Sequence, residues 1–329
     1  MINTRSFIKK EGLKMKTRYS PPIGELGLAV VVLLAYLLTY FIGWKKVIIG
    51  VAAVSVLITI YNFLPIKLAR VTVFSKKIKQ SVNIMQITDF HAGLWLRAKQ
   101  ILNLCKQTRP DMIVISGDLG DNRKTLDKDM AKIRRFLTLL SKNCPNVFWV
   151  GGNRDQELLG SDNLIQFWFE GDSLLKKELP DGSVVDDIKI NGLGVKSLGR
   201  RSLSYKPEQF NLAICHHPMH ASSLIKFNPL VDLILSGDTH GGQIRLPLVG
   251  AVTVPDMPFL PDLNPDYKPL VRGLSVFNES GKFVSKLDKI VHSTEPLLYV
   301  CSGVGYSGFP PIRLFCRSQV SLITLSPSK

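Results

Sequence analysis

The chain has 329 residues, 45% of them hydrophobic and 21% charged, with five cysteines and a formal net charge of +16. A mean hydropathy of +0.13 is high for a water-soluble chain of this length and points to membrane segments. The first 80 residues hold thirteen Lys/Arg against Glu11 and Glu25, which is +11 of the total; the other 249 residues carry only +5 and no basic-aromatic pattern, so a nucleic-acid partner is not expected.

Two uncharged runs open the chain: "LGLAVVVLLAYLLTYFIGW" over 26–44 and "VIIGVAAVSVLITIYNFLPI" over 47–66. Each is close to the ~20 residues that span a bilayer as a helix. A cleaved signal peptide has a shorter apolar core, ~7–15 residues, and is not followed at once by a second run. Basic clusters before residue 26 and after residue 66 predict a transmembrane hairpin with both ends cytoplasmic. Lys45 and Lys46 at the bend oppose this weakly, and one long or re-entrant element would give the opposite or an undefined orientation. The same basic flanks can attract anionic lipid headgroups. Residues 1–80 are therefore read as a basic N-terminus and membrane anchor, and residues 81–329 as one catalytic domain.

From residue 81 onward, short apolar runs alternate with helical ones. "NIMQITDFH", "DMIVISGDLGDN" and "NVFWVGGNRD" read as strands running into loops, separated by helices "RAKQILNLCKQ" and "LDKDMAKIRRFLTLL". After the third strand comes "LIQFWFEGDSLLKKEL", where Phe167, Trp168 and Phe169 lie beside Lys176 and Lys177. It is read as a helix, either buried in the core or lying in the membrane interface. "FNLAICHHP" and "VDLILSGDTHGGQ" are again strands ending in polar loops, and the C-terminal part reads as further strands. The fold class is α/β with a second sheet. Cys105, Cys144, Cys215, Cys301 and Cys316 include no CxxC pair and are read as small buried side chains in a reducing compartment.

Each buried strand delivers polar groups at its C-terminal end, where open α/β sheets place their sites. They are Asp89 and His91, Asp118, Asn153 with Arg154, His216 with His217, then Asp238 and His240. Imidazoles, carboxylates and one amide without thiols suit hard or borderline divalent ions such as Mn²⁺, Mg²⁺, Fe²⁺ or Zn²⁺. Each residue alone is commonplace; four of the six histidines falling at strand ends beside carboxylates is not. His220 and His292 are left as ordinary residues.

In order, "DFH", "GDLGDN", "GNRD", "CHHP" and "GDTHGGQ" resemble the motifs of the calcineurin-like metallophosphoesterases, DxH, GD, GNH, H and GHxH. The chain is most similar to their membrane-anchored bacterial branch, whose second-sheet pattern resembles "LYVCSGVGYSGFPPIRLFCRSQVSLITL". The resemblance implies a β-sandwich flanked by helices. It also implies two divalent ions: Asp89, His91 and His240 on one, Asp118 bridging, and Asn153, His216 and residue 238 on the other. Two such ions ~3.5–4 Å apart activate water for hydrolysis at phosphorus. The family pattern has histidine at 238 and this chain has Asp238, which adds negative charge and favours Mn²⁺ or Mg²⁺. His217 is either a substrate contact or a filler.

The second departure is Arg154, where the family pattern has a histidine assigned to protonate a leaving alkoxide. Arginine cannot donate a proton, because its pKa stays above ~12. It does offer a fixed cation and a bidentate fork to phosphate oxygens, which suits a phosphate leaving group from a diphosphate. The bland alternative is a structural pair with Asp155 or Glu157. GNRD is similar to the form found in the UDP-2,3-diacylglucosamine pyrophosphatases of lipid A biosynthesis. That resemblance implies a lipid-linked UDP-sugar substrate, release of UMP and 2,3-diacylglucosamine 1-phosphate, and a catalytic domain on the cytoplasmic side of a bacterial inner membrane. A membrane-anchored phosphodiesterase or phosphatase of other specificity and a non-catalytic scaffold of the same fold are the rival readings.

Overall fold

The structure is a computed structural model. It describes residues 43–91, 95–120, 126–144, 146–155, 164–170, 173–179, 193–197, 207–286, 288–292, 294–306 and 312–328, together with Tyr36 and Tyr40. The chain divides into two compact units, Met1–Leu57 and Ile58–Lys329.

Among the described residues one helix, α1 (Trp44–Phe63), is long and apolar enough to cross a membrane, and none of its side chains is buried. It stops two residues before Pro65, which lacks the amide proton a helix needs. Lys45 and Lys46 lie in its first turn, not in a bend. The first predicted span, 26–44, falls almost wholly outside the described residues, so the hairpin is not shown.

The second unit is built on two sheets. The larger has the order β14–β1–β16–β2–β3–β4–β5–β6, where β1 is Lys67–Ser75, β2 Val82–Ile87, β3 Met112–Ser116, β4 Val147–Val150, β5 Leu164–Glu170, β6 Ser173–Leu179, β14 Ile290–His292 and β16 Gln319–Pro327. The smaller has the order β13–β12–β15–β9–β8–β7, where β7 is Leu193–Ser197, β8 Phe210–Ile214, β9 Leu233–Ser236, β12 Gly273–Phe277, β13 Phe283–Lys286 and β15 Leu297–Val300. A two-stranded ribbon, β10 (Arg245–Leu246) and β11 (Gly250–Ala251), stands apart.

Val73, Ile84, Val114 and Phe148 of the first sheet pack against Leu212, Leu235, Val276 and Tyr299 of the second in one core. The outer face of the first sheet is covered by α2 (Trp95–Thr108) and α3 (Leu126–Asn143) through Ile101, Cys105, Phe136 and Leu140. The second is covered by α4 (Ala221–Phe227) and α5 (Lys268–Val271) through Leu224, Ile225 and Leu270. Strands β3, β4, β8, β9 and β15 are buried at every residue, which is why they read as continuous apolar runs and not as alternating ones. All five cysteines are buried, and none forms a disulfide.

Two expectations are corrected. The segment 164–179 is not a helix: β5 and β6 pair antiparallel from Leu164↔Leu179 to Glu170↔Ser173. Two seven-residue runs split by Gly171-Asp172 are hairpin chemistry, and each run is short for a helix. Residues 67–75 do not belong with an anchor. They form β1, which pairs along its whole length with β16, so the sheet starts before residue 81.

Candidate metal centre

The predicted residues converge because they follow adjacent strands. Asp89 and His91 lie just past β2, Asp118 past β3, Asn153 and Arg154 past β4, His216 and His217 past β8, and Asp238 and His240 past β9. These turns are sharp: Asp89, His91, Asp118, Asp238 and His240 all have φ between 50° and 70°. Left-handed backbone is unfavourable for residues with a Cβ and persists only where the surroundings enforce it. The enforcement is visible in hydrogen bonds: Asp89 N–H donates to Gly117 O (3.1 Å), His91 N–H to Asp118 O (3.0 Å) and Gly237 N–H to His216 O (3.0 Å). Between the sheets, the Gln86 amide donates to Ser116 Oγ (2.9 Å) and Ser236 O (2.8 Å), tying β2, β3 and β9 below the site.

Two glycines make room. A Cβ on Gly117 would fall on the His216 ring, and one on Gly152 would fall on the Asp118 carboxylate. The GD and GGN glycines are thus the close approaches that let three loops meet.

Seven side chains then share one cluster. His91 Nε2 and His240 Nε2 are 3.1 Å apart, and Asp89 Oδ1 lies 3.8 Å from His240 Nε2. Asp118 stands between two histidines, with Oδ2 3.8 Å from His91 Nε2 and Oδ1 3.5 Å from His216 Nε2. Asp238 Oδ1 is 3.4 Å from His216 Nε2, and its Oδ2 is 3.1 Å from His217 Nδ1. Three overlapping groups could each hold an ion: Asp89–His91–His240, Asp89–Asp118–His216 and His216–His217–Asp238.

His216 tests the fit. Its Nδ1 lies 2.9 Å from Ser116 O, which fixes that nitrogen as the donor and leaves Nε2 as the lone pair in a neutral ring. Nε2 is buried without a hydrogen-bond partner and faces two carboxylates at 3.4 and 3.5 Å. A lone pair aimed at two buried anions demands a proton or a cation between them. The donor set of imidazole and carboxylate oxygen suits divalent ions, so the residues fit the expected group.

The charge balance agrees. Burial, reinforced by Asp118 and Asp238, pushes the Asp89 carboxyl up to about 6. Burial raises Asp118 and Asp238 too, but the His216 ring outweighs it and both are held below the ordinary carboxylate value. Burial opposes charge on His216, yet Asp118 and Asp238 raise its pKa well above the usual value. His240 is held neutral by burial and by the Arg313 guanidinium.

Arg154 and Asn153 are exposed on the turn after β4. Arg154 meets the cluster through its backbone, donating N–H to Asp118 Oδ1 at 2.8 Å. Asp155 is not its partner. It is fully buried and accepts from Leu119 N–H (3.1 Å), Gly120 N–H (2.8 Å), Gly152 N–H (3.1 Å) and the Trp149 indole (3.3 Å). Glu157 lies outside the described residues. Asp155 thereby clamps the Asn153–Arg154 turn to the Asp118 loop. Sequence reasoning missed Asp155 in this role, and missed Arg313, whose buried guanidinium lies 3.3 Å from His240 Nδ1. The available signal for Arg313 was a cation inside the apolar tract "PPIRLFC".

Residues 82–242 match the model of the calcineurin-like phosphoesterase family, a span that takes in the strand ends from Asp89 to His240. An "Uncharacterized metallophosphoesterase" of Helicobacter pylori is 26% identical over 280 residues, covering 79% of this chain and 64% of the relative. "Uncharacterized metallophosphoesterase Cj0846" of Campylobacter jejuni is 29% identical over 270 residues, covering 77% and 61%. A "Transmembrane protein with metallophosphoesterase domain" of Danio rerio is 24% identical over 286 residues, covering 79% and 57%. The chain spans less than two thirds of the length of each of these relatives.

Proposed function

We propose that the protein hydrolyses a lipid-linked nucleotide diphosphate, UDP-2,3-diacylglucosamine, to UMP and 2,3-diacylglucosamine 1-phosphate at a cytoplasmic membrane surface. The observation that carries this reading is Arg154. Its backbone is fixed on the Asp118 carboxylate and its side chain is exposed beside the cluster, at the place where the family pattern supplies a protonating histidine. A guanidinium cannot protonate an alkoxide, but it pairs bidentately with phosphate oxygens. A departing phosphate is a weak base and needs neutralisation, not a proton.

Asp89, His91, Asp118, Asn153, His216, Asp238 and His240 would hold two divalent ions, with Mn²⁺ the first candidate. Such ions, when bound, supply Lewis acidity and charge neutralisation at phosphorus. His217, half-buried and held by Asp238, can donate its other ring nitrogen to a phosphate oxygen. The apolar helix α1 supports a membrane location and hence a substrate with acyl chains.

A second reading, hydrolysis of another membrane phosphodiester, is favoured by the spread of relatives from bacteria to Danio rerio. Purified full-length protein with Mn²⁺ separates the two. UMP release from UDP-diacylglucosamine far above turnover of nitrophenyl esters supports the first reading, and the reverse ratio sinks it.

A further inference from the structure

Around the last turn of α1 lies a surface that the metal cluster does not use. Arg97 Nη1 donates to Leu64 O at 2.7 Å and its Nη2 donates to Asn62 O. Arg317 Nη2 donates to Pro65 O at 2.6 Å, and the Tyr61 and Phe315 rings lie 6.4 Å apart. Three chain segments, 61–67, 95–100 and 312–319, therefore meet at the helix end. Their large apolar side chains point outward: Leu96 is 48% and Phe315 57% exposed, and Tyr306, close enough to act electrostatically on Arg97, is 44% exposed. None of the three segments contains an aspartate or glutamate, whereas Lys67, Arg97, Lys99 and Arg317 all lie in them. Apolar and aromatic tips interleaved with unopposed cations are the composition of a membrane-interface belt, not of an ordinary solvated face.

This surface lies one side chain away from the cluster. Asn62 clasps the backbone of Arg313, accepting from its N–H at 2.7 Å and donating to its carbonyl at 3.0 Å. The buried Arg313 guanidinium then donates to Gly305 O (2.7 Å), Ser302 O (2.8 Å) and His240 O (3.1 Å). Gly305 N–H in turn donates to Asp89 O at 2.6 Å. The helix end at Asn62, the 312–319 segment that carries Phe315, and two residues of the cluster are thus joined by hydrogen bonds.

We propose that this face rests in the headgroup layer of an anionic bilayer, with Leu96, Tyr306 and Phe315 in the interface and Arg97 and Arg317 against lipid phosphates. The cluster then draws its phosphoester from the lipid surface and not from bulk solution. This deepens the reading above by assigning how a lipid-borne substrate arrives, and it rests on that reading only for the substrate being a phosphoester.

The buried native cysteines allow single labels. In full-length protein reconstituted into phosphatidylglycerol/phosphatidylethanolamine liposomes, nitroxides on Leu96→Cys and Phe315→Cys are compared with one on Phe227→Cys, an 83% exposed position on α4. Collision with a water-soluble nickel chelate should be several-fold lower at 96 and 315 than at 227. Equal accessibility overturns the proposal. So does protection at 96 and 315 that persists in detergent micelles and rises with protein concentration, since a second copy would then cover the face.

A catalytic arm uses Leu96→Asp with Phe315→Asp. Turnover of a nitrophenyl phosphatidyl ester embedded in the liposomes should fall about tenfold, the worth of roughly 1.4 kcal/mol of surface attachment, while turnover of soluble bis(nitrophenyl) phosphate stays unchanged. Loss of both activities, or of neither, overturns the proposal. Absence of UMP release with the labels still protected would sink the nucleotide-sugar substrate alone.

Discussion

Asp155→Ala is expected to be the most damaging single change outside the ligands, and its magnitude can be worked from the bonds it removes. The carboxylate accepts four hydrogen bonds of 2.8–3.3 Å from three backbone amides and an indole, with no exposure to solvent. A buried donor left unpaired costs ~1–3 kcal/mol, and water entering the new space recovers part of that. Taking the low end for each donor gives about 4 kcal/mol, a large share of the ~5–15 kcal/mol that holds a domain together. At ~2–4 °C per kcal/mol this lowers the melting temperature by roughly 8–16 °C. Asp155→Asn should be milder. With its carbonyl in the place of Oδ2 it still accepts from Leu119, Gly152 and Trp149 and loses only Gly120, at a cost of ~1–3 kcal/mol. Thermal unfolding of full-length protein by intrinsic fluorescence, with Mn²⁺ titration of each variant, reads both effects. An alanine variant melting within about 2 °C of the parent, or an asparagine variant as damaged as the alanine one, would refute the clamp.

Asp118→Ala should reduce hydrolysis to background whichever ion is supplied, and Mn²⁺ binding measured by electron paramagnetic resonance should weaken in parallel. Arg154→His should lower the kcat/KM ratio of diphosphate to alkyl phosphodiester; an unchanged ratio assigns the arginine to structure. Mn²⁺ affinity should rise with pH through about 6, because the metal-free cluster holds protons on Asp89 and His216 that the ion must displace, whereas His240 is already neutral. Each proton displaced makes affinity change about tenfold per pH unit, which calorimetry in buffers of different ionisation enthalpy measures directly. Asn62→Leu removes both bonds to the Arg313 backbone and should cost about 1–3 kcal/mol, read as a lower melting temperature.

The cluster was legible because its residues obey a local rule. Buried strands carry few charged groups along their length, so aspartates and histidines appear where strands end, and adjacent strand ends are adjacent in space. Asp89, His91, Asp118, His216, Asp238 and His240 are therefore visible from patterning alone. What was not legible depends on distant contacts. Asp155 reads as a surface acid beside an arginine, and only the fold reveals that three amides and an indole surround it. Arg313 reads as one more cation, since nothing local says that Asn62, 251 residues away, holds its backbone. Residues 67–75 were misassigned because Lys67 and Arg70 look like membrane flanks; the alternation in "RVTVF" was the better signal. Residues 164–179 satisfy helix and strand patterns alike, and the Gly171-Asp172 break decides between them.

The register of β1 has a consequence for how the protein is made. Its neighbour on one side, β16, is supplied about 250 residues later, and β16 also fills the gap between β1 and β2. At ~5–20 residues per second, a ribosome needs roughly 12–50 s to deliver that strand after β1 has emerged. Throughout that interval β1 and β2 have open edges, next to a helix already suited to the bilayer. Completion of the sheet beneath the cluster therefore waits for β16, and a nascent chain halted before Gln319 would display one open edge on β1 and one on β2 to any chaperone or protease that reads unpaired backbone.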